Sequence, residues 1–178
     1  MLNMTNITFV ILAYLLGSAP FGLWIGFFVK RTDIRKHGSG NIGATNVYRV
    51  VGKEWGILTF VLDALKGYAA VILPSQILQA PTSAPLMIAY GTAAILGHTF
   101  PLWFSFRGGK GVAASLGVFL ALAPGPAWFT FGIWIIIFIL THIISIASLA
   151  AALFFPVVVF IAYWSQEDFF WYVGVSLV

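Results

Sequence analysis

Six of the nine lysines and arginines in this 178-residue chain lie between Lys30 and Lys53. Within that stretch runs Gly38-Ser39-Gly40-Asn41-Ile42-Gly43-Ala44-Thr45-Asn46-Val47-Tyr48-Arg49. Its glycines permit tight turns with backbone N–H groups exposed. Ser39, Asn41, Thr45 and Asn46 add neutral donors, and Arg49 adds a planar cationic fork. Donors of this kind converging beside a guanidinium suit a phosphate. The alternative is an ordinary polar loop, although such loops rarely gather so many donors next to an arginine.

A second segment runs Gly97-His98-Thr99-Phe100-Pro101 and on to Phe106-Arg107-Gly108-Gly109-Lys110-Gly111-Val112. It is not a nucleotide-hydrolysing phosphate loop. That motif needs a glycine five positions before Gly109 and a hydroxyl residue after Lys110, where this chain has Phe104 and Gly111. A glycine-rich turn with two cations at a helix N-terminus still makes an anion site. Anchoring at lipid headgroups would explain the cations but not the glycines around them. In a third segment, Thr141 to Ser148, Ser145 and Ser148 share a helical face, where their hydroxyls either hold phosphate oxygens or ease helix packing. Asp63 and Lys66 stand one turn apart in an apolar stretch. A charge at the bilayer centre costs about 2.5–3.5 kcal/mol on insertion scales, so this pair neutralises itself or faces a polar cavity. His37, His98 and His142 are the only histidines, and no carboxylate cluster accompanies them, so a metal site lacks ligands. A Ser-His-Asp relay would have to use Asp63, and the spacing gives it no support.

These segments must be positioned inside a membrane. The chain is 61% hydrophobic and 8% charged, with a mean hydropathy of +1.00, whereas soluble domains carry about a quarter charged residues. A nucleic-acid role would need a basic face on a soluble module, and none exists. Cysteine is absent, which removes thiol chemistry and disulfides. The uncharged first 29 residues lack the basic start of a signal peptide and read as a retained span. Apolar stretches predict a span over 7–29, a polar loop over 30–53, a second span over 55–73 ending at Pro74, and a third over 86–103. The second basic loop, 107–110, follows. The uncharged run 111–166, broken at Pro124-Gly125-Pro126 and around 141–148, predicts three more spans. Basic short loops stay cytoplasmic. That rule puts the N-terminus outside, both basic loops and the 141–148 turn inside, and Glu167 and Asp168 outside. The last apolar stretch, 169–178, is half a span long and reads as an incomplete seventh helix, so residues 1–178 are expected to form one membrane domain truncated at its C-terminus.

Taken in order, Ser39-Gly40-Asn41 through Arg49, Asp63 to Gly67, Gly97-His98 with Pro101, Phe106 to Val112, and the Ser145/Ser148 turn resemble the bacterial acyl-phosphate-dependent glycerol-3-phosphate acyltransferases, the PlsY family. The resemblance covers nearly the whole chain. It implies an all-α, seven-helix, multi-pass inner-membrane fold with its N-terminus outside and its active site facing the cytoplasm. It also implies acyl transfer from acyl phosphate to the sn-1 hydroxyl of glycerol 3-phosphate, with no cofactor, metal, nucleic acid or protein partner and with membrane lipids as surroundings. The phosphate site would draw on Ser39, Gly40, Asn41, Thr45, Asn46, Arg49, Lys66, Arg107, Gly108, Gly109, Lys110, Ser145 and Ser148. Either a substrate phosphate oxygen or His98 would accept the hydroxyl proton. Two departures stand out: Arg107 occupies a position where the family often has Lys, and the family's polar tail with a His-x-x-Asn element is absent. An organic-phosphate transporter would call for access from both faces and internal repeats, neither of which is visible. A non-catalytic lipid-binding protein would leave the converging donors unused. A metal-dependent alcohol phosphotransferase would need carboxylates that the chain lacks.

Overall fold

The structure, a computed structural model, describes residues 3–165 and 169–176. Among them the regular structure is all helical: α1 (Met4–Gly17), α2 (Phe21–Lys30), α3 (Ala44–Val50), α4 (Lys53–Leu78), α5 (Ala84–Thr99), α6 (Val112–Leu122), α7 (Pro124–Thr141), α8 (Ile144–Tyr163) and α9 (Phe169–Ser176), with short 3-10 turns at Ile34–Lys36 and Leu102–Phe104. The segments α1–α2, α4, α7 and α8 are long and apolar enough to cross a bilayer, and α6 is a shorter apolar helix. Together with α5 and α9 they make the seven membrane segments expected from the sequence. The external position expected for Glu167 and Asp168 lies outside the described residues.

The sequence-based bounds need correcting in four places. The first span breaks at Ser18-Ala19-Pro20, because Pro20 has no N–H to donate and its ring disrupts the turn before it. The second span does not end at Pro74; α4 carries that proline inside it and continues to Leu78. In lipid, neighbouring helices compensate a lost helical bond, so an interior proline is tolerated. The third span stops at Thr99 rather than Trp103. The polar loop is not irregular throughout, since α3 places Thr45, Asn46 and Arg49 on a short helix.

Helix α4 lies at the centre, packed against α1, α2, α3, α5 and α6, while α7 and α8 pair with each other and α8 carries α9. The two tightest crossings are made by glycine on both sides. A methyl at Gly67 would overlap the Ala114 carbonyl, and one at Gly117 would overlap that of Ala64. The α1–α5 crossing repeats the device with Gly17 against Ala94 and Gly97 against Tyr14. Lipid tails are as apolar as leucine, so close backbone approach, rather than exclusion of water, holds such helices together. These crossings fix the ends of α4, α5 and α6, from which the polar segments hang.

Candidate active site

The two glycine-rich segments meet. Asn41 donates from Nδ2 to the Gly108 carbonyl at 3.2 Å and accepts at Oδ1 from Gly43 N–H at 2.8 Å. Asn46 is buried under the first segment. Its Oδ1 accepts from Ser39 N–H at 2.9 Å, and its Nδ2 donates to the Ile34 and His37 carbonyls at 2.9 and 3.1 Å. Both polar atoms of its side chain thus hold the loop's shape. Gly38 and Gly40, at φ 60 and 71, take the left-handed turns that this shape requires. The loop is closed by Lys30, which donates from Nζ to the Val50 carbonyl at 2.7 Å.

The backbone N–H groups are less available than the glycine content suggests. Gly40 N–H bonds His37 O, Gly108 N–H bonds Thr99 O at 3.0 Å, and Gly109 N–H bonds His98 O at 3.0 Å. Side chains and the N-terminus of α6 at Gly111, which no side chain caps, are open to an anion. Arg35, Ser39, Gly40, Asn41, Trp103, Phe104, Ser105, Arg107 and Gly108 line an open polar cavity of about 710 Å³. Arg35 grips Asp33 with two bonds of 2.8 and 2.9 Å and lies over the Phe104 ring, 5.4 Å from its centroid. The Arg35 side-chain hydrogen bonds hold the Asp33 carboxyl down at a pKa of about 2, against a usual 3.8. Among the described residues Arg107 has no such partner.

Lys110, three residues on, opens onto a different space. With Phe60, Val112, Phe119, Phe131, Trp134, Ser148 and Phe155 it lines an apolar groove of about 490 Å³ between α4, α6, α7 and α8. Along it Phe60 stacks on Phe131 and Trp134, each at 6.2 Å, and Phe131 on Trp134 at 5.9 Å, while Phe138 extends the stack beyond the groove, 5.3 Å from Trp134. Phe119 stacks on Phe155 at 4.3 Å. Ser148 Oγ accepts from Trp134 Nε1 at 3.1 Å, whereas Ser145 is exposed at the start of α8.

The remaining residues marked by sequence lie apart from both cavities. Arg49 is on the exposed face of α3, and Thr45 is half-buried on the same helix. Lys66 is buried, with Nζ 2.9 Å from Asp63 Oδ1 and donating to the Ala19 carbonyl at 2.7 Å. That carbonyl is freed by the break before Pro20. His98 is buried beside them and lines neither cavity. Arg35, Trp103 and Ser105 in the polar cavity were not singled out by sequence. Arg35 was visible only as one of the clustered cations, and the other two sit in a turn that the sequence assigned to a span or its edge. Among the described residues no group of three His, Asp or Glu could hold a metal ion.

Comparison with known proteins finds relatives over most of the chain. The glycerol-3-phosphate acyltransferase family model matches residues 7–178. A glycerol-3-phosphate acyltransferase of Desulforamulus reducens is 42% identical over 157 residues, spanning 88% of this chain and 77% of the relative. That of Myxococcus xanthus is 44% identical over 142 residues, spanning 80% and 73%. The crystal structure of PlsY, an integral membrane glycerol 3-phosphate acyltransferase, in its glycerol 3-phosphate form superposes with a TM-score of 0.83 at 39% identity, covering 96% of this chain and 84% of that one. Its lysophosphatidic acid form gives 0.82 at 38% identity, with the same coverage.

Proposed function

Because the chain belongs to the glycerol-3-phosphate acyltransferase family, we propose that it moves a fatty acyl chain from acyl phosphate to the sn-1 hydroxyl of glycerol 3-phosphate, giving lysophosphatidate and inorganic phosphate. One observation carries the reading. The four-residue turn Arg107–Lys110 gives Arg107 and Gly108 to a polar cavity and Lys110 to an apolar groove. A short polar anion and the phosphate end of a long acyl chain thus meet across a single turn.

In this scheme Ser39, Asn41 and Arg107 hold glycerol 3-phosphate, and Gly40 and Gly108 shape the cavity around it. Lys110 and Ser148 receive the acyl phosphate head, whose chain lies along the aromatic wall of the groove. The glycerol hydroxyl attacks the acyl carbon. The new ester C–O bond forms as the bond from that carbon to the phosphate oxygen breaks, and a phosphate oxygen takes the hydroxyl proton. Phosphate is a good leaving group, so the protein's task is to bring two anions together and offset their repulsion. Arg107 and Lys110 do this directly, and Arg49 adds charge from α3. Asn46, Lys66 and Gly109 keep the loops in place, while Thr45 and Ser145 stand at the margins. The scheme needs no cofactor, metal or protein partner.

The concentration of cations between Lys30 and Lys53 supports a cytoplasmic site in a bacterial inner membrane. Purified protein in lipid should acylate glycerol 3-phosphate with acyl phosphate and not with acyl-CoA or acyl carrier protein. Equal or better transfer from a thioester donor would reject the proposed donor while leaving the acceptor intact.

A further inference from the structure

Asp63, Lys66 and His98 are 3%, 4% and 5% exposed, and the reaction scheme gives them no chemical step. Asp63 and Lys66 satisfy each other, and Lys66 is further pinned to the Ala19 carbonyl. His98 is different. Its buried Nδ1 faces Asp63 Oδ1 across a long contact of 3.5 Å, and among the described residues it has no closer hydrogen-bond partner. A buried nitrogen in that state costs free energy that an apolar side chain would not, so packing alone does not call for histidine here.

The ring's far edge lies against the active-site turn. A methyl at Gly109 would overlap His98 Nε2, and the Gly109 and Gly108 N–H groups bond the carbonyls of His98 and Thr99 at 3.0 Å. A chain of contacts therefore runs from the break in the first span, through Lys66 and Asp63 on α4 and His98 on α5, to the turn between the two cavities.

We infer that His98, oriented by the Asp63–Lys66 pair, is a positioning residue that sets the Gly108–Gly109 turn and so fixes the placement of Lys110 at the groove relative to Arg107 in the polar cavity. What this spacing serves rests on the acyl-transfer reading; the contact itself does not. Lys66 is held from two sides, so Asp63 is a fixed reference, and the imidazole transmits its position to Gly109. A misplacement of about 1 Å between two reacting groups can cost about 100-fold in rate, which gives this shell a role even though no member touches substrate.

The test is a double-mutant cycle on His98→Ala and Gly109→Ala, with His98→Gln alongside. His98→Ala leaves Asp63 paired to Lys66, whereas Asp63→Asn would strand a buried cation. Gly109→Ala should lower kcat about 100-fold by pushing the turn off the imidazole. In the His98→Ala background the same change should cost no more than about threefold, because the obstructing ring is gone. His98→Gln, which can still present an amide to Asp63, should recover most of the rate lost in His98→Ala. Glycerol 3-phosphate binding, measured by calorimetry, should stay near the original value in His98→Ala, since the Arg107 cavity is intact. Multiplying losses in the double variant would overturn the inference, as would a Gln variant no better than Ala, which is the result expected of a general base. Melting temperatures of the same four proteins read the His98–Gly109 contact without any substrate. Coupled melting temperatures in a protein inert toward acyl phosphate would therefore condemn the functional reading and not the contact. If Gly109→Ala alone cannot be purified, its recovery in the His98→Ala background counts in favour, and failure to recover counts against.

Discussion

Replacing the two cations of the Arg107–Lys110 turn one at a time should separate the two substrates. No described side chain engages Arg107 or Lys110, and both are exposed. Methionine at either position therefore breaks no internal bond and strands no buried partner, and the folded protein should melt where the parent does. The effect should fall on substrate alone. A hydrogen bond to a charged group contributes about 1.5–3 kcal/mol, and about 1.4 kcal/mol is a tenfold change. Each substitution should therefore lower kcat/KM about 10- to 150-fold for the substrate its side chain touches. Arg107 lines the polar cavity, so Arg107→Met should act mainly on glycerol 3-phosphate. Lys110 lines the apolar groove, so Lys110→Met should act mainly on the acyl donor. Arg35→Met should do less than either, because its guanidinium is already shared with Asp33. Phosphate release measured over a grid of both substrate concentrations separates the two constants. Equal changes in both for both variants, or near-parental turnover, would refute the division of labour.

Gly67→Ala should destabilise by about 1–3 kcal/mol, because its methyl meets the Ala114 backbone carbonyl at the α4–α6 crossing. Gly132→Ala on α7, where nothing lies within 4 Å, should be neutral or stabilising; detergent melting curves compare the two. The cysteine-free chain allows a clean topology test: Ser105→Cys should resist impermeant thiol reagents in intact cells, and Ala80→Cys, between α4 and α5, should label. Asp33 has its pKa lowered from 3.8 to about 2 by Arg35, so the pair's stabilising contribution is fully present above about pH 4 and disappears as pH falls through 2. Asp33→Asn should therefore differ from the parent in melting temperature at pH 7, by a small amount for so open a pair, and converge with it near pH 2.

The spans were legible because a bilayer constrains composition directly: an uncharged run long enough to cross it has few other fates. The polar segments were legible because glycine, hydroxyl and guanidinium groups crowded between such runs have few structural uses. Other features depended on three-dimensional context. Pro74 reads as a stop, yet α4 runs through it, while Pro20 breaks its span; the local signal is the same, and the neighbours decide. Gly40, Gly108 and Gly109 suggested free N–H groups, but the carbonyls that consume them come from His37, Thr99 and His98. Lys66 read as a site residue because charge within a membrane is costly, and His98 because a histidine can accept a proton at neutral pH. They lie near the site, but the burial that turns them away from both cavities arises from the packing of α4, α5 and the first span. Arg35 was hidden among its neighbours, since nothing in a cluster of cations says which one faces a cavity.

In the proposed reaction one turn joins an acyl-phosphate groove to a glycerol-3-phosphate cavity. This is tested most directly by incubating the purified protein in lipid with acyl phosphate and labelled glycerol 3-phosphate, then quantifying both products. Phosphate and 1-acyl lysophosphatidate should form in equal amounts, with neither formed when either substrate is withheld and both formed far more slowly when Lys110 is replaced by methionine. Phosphate released without glycerol 3-phosphate, or labelled lipid formed without acyl phosphate, would contradict the proposed reaction.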